Sequence, residues 1–246
     1  MLEQSLPRHI VAMGGGGWGM EPDNPLLDWY IYNLSNKKEP KVCFLATASG
    51  DSEEYIARFY QHFTPRPATL SHLSLFKPHT ADLKSFILEQ DIIYVGGGNT
   101  KSLIALWKEW ELDDILREAW SQGVILCGLS AGSICWFEEG LTDSIPGKYT
   151  PLKCLGFLPG SNCPHYNGEA KRRPAYHQLL SQGLISDGYA TDDGVALHFV
   201  GDPKGTRQRN HLSNIVSSRP TAMAYRLEVI ENQVKEKPLK PKYLGS

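Results

Sequence analysis

Residues 124–137, VILCGLSAGSICWF, place a serine between two glycines where an apolar strand pattern meets an apolar helix pattern. The Gly-Leu-Ser-Ala-Gly stretch from Gly128 to Gly132 fits the nucleophile elbow, a turn so tight that its flanking positions need glycine. Such a turn exposes the serine hydroxyl at the carboxyl edge of a sheet and aims the N–H of Ala131 at a developing oxyanion. The pattern predicts a nucleophilic Ser130, and the alternative is a strand-to-helix turn that only happens to contain serine.

A serine hydroxyl needs an imidazole to accept its proton and a carboxylate to orient that imidazole. Among the eight histidines, His165 is the candidate, because the strand-like segment 162–166, NCPHY, is interrupted by proline and followed by Asn-Gly. These residues place the ring at the end of a rigid loop. The candidate acids are Glu138, Glu139, Asp143, Asp192 and Asp193. The last two lie after the histidine, in an Asp-Asp-Gly turn that would also suit an ordinary surface loop.

Two glycine-rich segments follow strand patterns. Segment 95–100, VGGGNT, precedes the elbow strand, and its glycines either supply a second oxyanion N–H or form an ordinary flexible loop. Segment 14–19, GGGGWG, formally satisfies the GxGxxG pattern of dinucleotide-binding loops. No helix pattern opens directly after it, however, and the second strand ends in ATAS rather than in an acidic residue. We therefore expect this segment to shape a pocket wall at the same sheet edge.

The elements that must position these residues alternate between strand and helix through the first half of the chain. Continuous apolar strands between helices predict a mainly parallel sheet covered on both faces, an α/β three-layer sandwich. The expected strands are 9–13, 42–46, 68–75, 91–95 and 124–127, and the expected helices are 24–34, 52–63, 80–89, 100–107 and 112–121.

The pattern changes after residue 139. Glycine, proline and polar residues dominate to residue 162, a helix is expected near 169–181, and short strands or hairpins are expected at 190–200, 205–210 and 221–234. We expect one domain over residues 1–234 and a loosely ordered, proline-broken basic tail over 235–246.

Composition excludes several classes of protein. A chain of 246 residues with 41% hydrophobic content can bury one large core, and a net charge of −2 gives no basic field for nucleic acid. The N-terminus does not resemble a signal peptide and no 18 apolar residues run together, so a cytoplasmic protein without a membrane partner is expected. Five cysteines without CxxC spacing predict reduced core thiols, and Cys163, two residues from His165, is the one candidate exception.

Taken together, the segments YVGGGNT, GLSAGS, CPHY and DDG, in this order and separation, resemble the dipeptidase E and cyanophycinase family of serine peptidases. The similarity runs roughly from the first strand to the Asp-Asp-Gly turn. It implies a class I glutamine-amidotransferase-like α/β fold in which serine replaces the usual nucleophilic cysteine. A short peptide is the expected partner, with no cofactor and no metal, and the protein is expected to be a monomer or a homodimer.

The resemblance also implies roles for individual residues. Ser130 is the nucleophile, His165 is the general base, and Gly97 or Gly98 supplies the oxyanion N–H together with Ala131. The third member of the triad in dipeptidase E is a glutamate followed by glycine. This position aligns best with Asp193, and Asp192 is its rival.

Four further residues are implied on the substrate side: Asn99, Asp143, Arg172 and Arg173. Dipeptidase E carries an arginine, in a Gly-Glu-Thr-Arg run, that binds the substrate's aspartyl carboxylate. Here the run GEAKRR follows the histidine much sooner, so Arg172 or Arg173 would have to meet that carboxylate.

The predicted function is a serine peptidase that hydrolyses short peptides through an acyl-enzyme on Ser130, as a dipeptidase preferring N-terminal aspartate. One alternative is another amide or ester hydrolase on this scaffold, including one that acts on β-linked aspartyl peptides. Another is a non-catalytic binder of small molecules. A cysteine-dependent glutaminase is disfavoured, because Cys127 and Cys135 flank the elbow without occupying it.

Overall fold

The computed structural model describes residues 7–201 and 210–245, and its first half alternates strands with helices as expected. Each strand here is a short apolar run that ends at glycine or a polar turn. In order, the elements are β1 (Arg8–Met13), α1 (Leu26–Leu34), β2 (Lys41–Leu45), a 3₁₀ turn (Thr47–Ser49), α2 (Glu53–Phe63), β3 (Thr69–Leu73), α3 (Leu83–Leu88), β4 (Ile92–Val95), α4 (Thr100–Glu109), α5 (Leu112–Ser121), β5 (Ile125–Leu129) and α6 (Ala131–Ile134).

The second half contributes more strands. They are β6 (Phe137–Ile145), β7 (Lys148–Lys153), β8 (Leu158–Cys163), β9 (Gly188–Thr191), β10 (Val195–Gly201), β11 (His211–Ser217), β12 (Ala224–Ile230), β13 (Gln233–Leu239) and β14 (Lys242–Tyr243), with α7 (Arg172–Ser181) between β8 and β9. The expected strand at 205–210 falls almost entirely outside the described residues.

The larger sheet has the strand order β14-β11-β10-β1-β5-β4-β2-β3. The strands from β1 to β3 in this order pair in parallel, and β10 pairs with β1 in the antiparallel direction. Parallel strands share one carboxyl edge, so the segments after β1, β4 and β5 lie together. This edge is where the elbow and both glycine-rich segments occur.

Helices cover both faces of this sheet. Along β1, Ile10 and Ala12 join the core beneath α3, α4 and α5, whereas Val11 and Met13 join the core beneath α1 and α2. Successive strand residues point to opposite faces, so burial of both sets requires a layer on each side. The predicted three-layer α/β sandwich is confirmed. No helix in the described parts of the chain is both long and apolar enough to cross a membrane.

A second sheet, which the sequence did not predict, has the order β13-β12-β9-β8-β6-β7 and packs against α7. Its strands carry glycine, proline and alternating exposed positions, because much of this sheet is open to solvent on one side.

The tail differs from the expected loose order. Residues Gln233–Leu239 pair with β12 along their whole length, and the alternation of exposed and half-buried positions over residues 233–237 suits an edge strand.

Candidate active site

The elbow forms the turn between β5 and α6, and its serine has an unusual backbone. Ser130 lies at φ 54° and ψ −114°, a left-handed conformation that costs a residue other than glycine about 1–3 kcal/mol. A Cβ at Gly128 would lie 2.5 Å from the carbonyl oxygen of Gly132, and a Cβ at Gly132 would lie 2.3 Å from that of Val95. The two glycines are therefore required by the packing of the turn against β4.

The end of β1 holds both Ser130 and His165. The Ser130 N–H donates to the carbonyl oxygen of Met13 over 3.2 Å, and the His165 N–H donates to that of Gly14, also over 3.2 Å. His165 lies just after β8, at φ 54°, and is thus a second left-handed residue of this site. Two consecutive carbonyl groups of one strand end therefore bring the predicted nucleophile and base to the same edge.

His165 forms a close pair with Asp193. The Nδ1 atom of His165 lies 2.6 Å from Oδ1 of Asp193, and the two side chains are only 13% and 14% exposed. Burial alone would raise the pKa of Asp193, but the hydrogen bond and charge of His165 outweigh it, so this pKa is lowered. The carboxylate is therefore ionised near neutral pH and can orient the imidazole.

Asp192, the rival acid, faces elsewhere. Its carboxylate accepts a hydrogen bond from the N–H of Met223 over 2.9 Å, and burial raises its pKa. Asp192 directly follows β9 and Asp193 lies in the turn to β10, and the two carboxylates contact different partners. Asp193 is the one that the structure places against His165.

The glycine-rich segment 14–19 packs directly against this pair. A Cβ at Gly15 would lie 2.2 Å from Oδ1 of Asp193 and 3.0 Å from Cε1 of His165. A Cβ at Gly168 would lie 2.6 Å from the other carboxylate oxygen of Asp193. Glycine at both positions gives the carboxylate its room, so segment 14–19 forms a wall of the site.

The segment after β4 approaches the serine from the other side. A Cβ at Gly97 would lie 3.3 Å from Cβ of Ser130, and the Gly97 N–H donates to the hydroxyl of Tyr55 over 3.4 Å. Gly98 has φ +140° and no space for a side chain, because the carbonyl oxygen of Ala48 fills it. Within the described residues, the N–H groups of Gly98 and Ala131 donate to no acceptor.

Asn99 caps helix α4 and links the segment after β4 to β6. Its Oδ1 accepts a hydrogen bond from the N–H of Ser102 over 2.9 Å, and its Nδ2 donates to the carbonyl oxygen of Ser144 over 3.0 Å. Asn99 was predicted on the substrate side, but the structure gives its side chain two partners within the protein.

Arg172 lies beside the site but is already neutralised. Its side chain is 2% exposed and donates to both carboxylate oxygens of Glu169 over 3.0 and 3.1 Å. A guanidinium nitrogen also lies 3.5 Å from Asp143, whose side chain is 59% exposed. Glu169 in turn donates its N–H to the carbonyl oxygen of His165 over 3.3 Å. Asp143 and Arg172, each predicted on the substrate side, therefore meet one another, with Glu169 as the third member.

Comparison with known proteins identifies the family of this chain. The sequence model of Peptidase family S51 matches residues 10–206. The chain belongs to Peptidase family S51. It is 58% identical, over 97% of its length and 100% of the relative, to the uncharacterized peptidase YgaJ of Bacillus subtilis (strain 168). It is 29% identical, over 72% of its length and 78% of the relative, to Peptidase E of Actinobacillus pleuropneumoniae serotype 5b (strain L20).

A solved structure shows the same fold. The crystal structure of a peptidase from an acI-B1 Actinobacterium superposes with a TM-score of 0.69 and covers 98% of each chain at 19% sequence identity. The predicted resemblance to the dipeptidase E family is thus confirmed, and the S51 chain described here is a peptidase.

Arg173 of this S51 peptidase lies apart from the His165 pair. It pairs with Glu236 of β13, and its guanidinium lies 5.2 Å from the ring centroid of Tyr166 and 5.4 Å from that of Tyr225. Its charge is therefore engaged in joining α7 to the second sheet.

The cysteines near the elbow are buried thiols. Cys127, Cys135 and Cys163 lie in the core, and burial raises the pKa of each thiol. A protonated thiol is a poor nucleophile, so Ser130 is the better candidate in this S51 peptidase. No group of three or more His, Cys, Asp or Glu in the described residues is arranged to hold a metal ion.

Sequence reasoning missed three residues that shape the site. In the sequence, Gly15 belongs to a glycine run, Glu169 to the GEAKRR segment and Tyr55 to a helix pattern, and none of them has an individual signal. The available signal was the Gly-Glu pair three residues after His165, since a carboxylate so near an arginine-rich run can neutralise it.

Proposed function

We propose that this protein is a serine peptidase that hydrolyses short peptides through an acyl-enzyme on Ser130. One observation carries the proposal most strongly. A strained serine and a histidine paired with a carboxylate are anchored to consecutive carbonyl groups of one strand end. Strain of this kind persists where the surrounding structure fixes it, and it is concentrated at functional sites.

The proposed reaction follows the chemistry of a Ser-His-Asp triad. His165 Nε2 accepts the proton of the Ser130 hydroxyl as Oγ attacks the peptide carbonyl carbon. The N–H groups of Gly98 and Ala131, which are free of other acceptors, donate to the resulting oxyanion. The protonated imidazole then gives its proton to the leaving amine as the C–N bond breaks. Water next attacks the acyl carbon while His165 accepts its proton, and that proton passes to Ser130 Oγ as the ester bond breaks.

Ser130 Oγ has no hydrogen-bond partner among the described residues. Catalytic hydrogen bonds commonly tighten only when substrate is bound, so the contact between Oγ and Nε2 is assigned to the substrate complex. The acid in this proposal is Asp193, which keeps the Nδ1 proton in place and stabilises the imidazolium.

The preference for N-terminal aspartate requires a cation at the site. Arg172 already faces the carboxylates of Glu169 and Asp143, and Arg173 faces Glu236. A third carboxylate at Arg172 would meet surplus negative charge. We therefore propose peptide hydrolysis as the function, with N-terminal aspartate as one substrate to be compared with others.

The test is a panel of leucine dipeptides with alanine, aspartate or isoaspartate first, together with the tripeptides that add a second leucine. Wild type should hydrolyse members of the panel, while Ser130→Ala should keep the wild-type melting temperature and lose turnover. Fluorophosphonate labelling should require both Ser130 and His165. Equal hydrolysis by Ser130→Ala would contradict the nucleophile, and folded wild type that neither labels nor hydrolyses would favour a non-catalytic binder.

A further inference from the structure

Arg58 differs from the other arginines near the site. Arg172, Arg173 and Arg219 each pair with a carboxylate. In the described parts of the chain, Arg58 has no carboxylate within ion-pair distance. Its guanidinium donates a 3.0 Å hydrogen bond to the carbonyl oxygen of Gly19 and lies over the face of Tyr55, 5.0 Å from the ring centroid. An exposed guanidinium with most of its donors unused is suited to an anion.

A short series of contacts connects Arg58 with the serine. Arg58 lies over Tyr55, whose hydroxyl accepts the N–H of Gly97. Gly97 packs against Ser130, with 3.3 Å between its Cβ position and the serine Cβ. An extended peptide advances at most about 3.6 Å per residue, so a peptide of a few residues can span from Ser130 to Arg58.

A cavity of about 570 Å³ lies beside Arg58, between the 18–25 segment and the second half of α2. Its size is in the range of small-ligand pockets. Two indoles and three prolines make most of its wall apolar: Trp18, Trp29, Pro22, Pro25 and Pro65. The polar residues that line it are Asp23, Arg58, Gln61 and His62. An apolar side chain suits these walls, and a carboxylate is drawn to the Arg58 end.

We propose that Arg58 binds the C-terminal carboxylate of the peptide substrate, with the substrate's last side chain in this cavity. The proposal rests on hydrolysis at Ser130 for its substrate. It makes the enzyme selective for short peptides with a free C-terminus and an apolar last residue. Arg58 therefore contacts the part of the substrate that leaves when the scissile bond breaks. This selectivity does not depend on the first residue of the peptide.

The test compares the leucine peptides of the panel as free acids and as C-terminal amides. Wild type should prefer the acid by about tenfold or more in kcat/KM, the effect of one charge-assisted contact. Arg58→Gln should remove that preference by slowing the acid and leaving the amide within about threefold. Arg66→Gln is the matched control, because Arg66 lies 4.0 Å from the ring centroid of Trp29 but does not line the cavity.

Binding measurements separate this inference from the proposed function. Calorimetry on Ser130→Ala should show tighter binding of the acid than of the amide, and Ser130→Ala with Arg58→Gln should bind both equally. If hydrolysis did not depend on Ser130, the proposed function would be overturned, and the binding results would still test the role of Arg58. Equal binding of acid and amide by Ser130→Ala, or equal effects of Arg58→Gln and Arg66→Gln, would overturn the role of Arg58.

Discussion

Replacing Asp193 by asparagine exchanges one carboxylate oxygen for an amide nitrogen, and it should remove most of the rate without unfolding the protein. Asp193 Oδ1 lies 2.6 Å from His165 Nδ1, and both side chains are largely shielded from solvent. In the proposed reaction, the imidazole becomes positively charged when Ser130 attacks. A neutral asparagine cannot stabilise that charge, and its amide can hold the imidazole in the wrong tautomer.

The size of the effect follows from the geometry of the pair. Two unit charges about 4 Å apart interact by about 4 kcal/mol at an effective dielectric constant near 20, which is typical of partly shielded protein sites. Because the imidazolium exists only after proton transfer, this energy is lost from the transition state and hardly at all from the ground state. A loss of about 4 kcal/mol corresponds to a decrease of roughly 10³-fold in kcat, with little change in KM.

The assay is steady-state hydrolysis of the best peptide by Asp193→Asn, with the melting temperature measured in parallel. Asp192→Asn is the matched control, because within the described residues its carboxylate accepts only the N–H of Met223 and asparagine keeps an acceptor oxygen. The control should retain wild-type kcat within about threefold. If Asp193→Asn kept more than about a tenth of wild-type kcat, or if Asp192→Asn were equally impaired, the assignment of the acid would be refuted.

Two further predictions concern the wall of the site and the larger sheet. Gly15→Ala should lower kcat by at least about tenfold, because its Cβ would lie 2.2 Å from the Asp193 carboxylate and displace it; wild-type kcat would contradict this. Burial, helped by the charge of His9, lowers the pKa of His198 to about 4, so the unfolded chain binds more protons as pH falls below about 6.5. Denaturant unfolding should therefore show about 3 kcal/mol less stability at pH 4 than at pH 7 from this group, and His198→Gln should reduce the loss; an unchanged pH dependence would contradict it.

The first half of the fold could be predicted because its central strands are buried on both faces. Continuous apolar runs such as Ile92–Val95 have no other stable position than the interior of a covered parallel sheet. The elbow could also be predicted from the sequence, because the glycines required at positions 128 and 132 belong to the turn itself. These features depend on neighbours in sequence or on a sheet edge that topology fixes.

The rest depended on contacts between distant segments. The strands of the second sheet are half exposed and contain glycine and proline, so their periodicity is weak. The choice between Asp192 and Asp193 is decided by which side of one strand end faces His165. Arg172 is neutralised by the nearby Glu169, but it also meets Asp143, which lies 29 positions away in sequence and on another element. No local pattern encodes that pairing.

The strand end after β1 is the element on which the site depends. Met13 and Gly14 accept the N–H groups of Ser130 and His165, the two left-handed residues of the site, and Gly15 shapes the space for Asp193. Each left-handed residue costs about 1–3 kcal/mol, and neither would keep its conformation without partners that fix it. Because β1 pairs with β5 on one side and β10 on the other, its carboxyl end cannot move without disturbing the centre of the sheet. The geometry of the proposed triad is thus set by a buried backbone segment, which explains why a residue without a side chain, such as Gly15, is expected to control the rate.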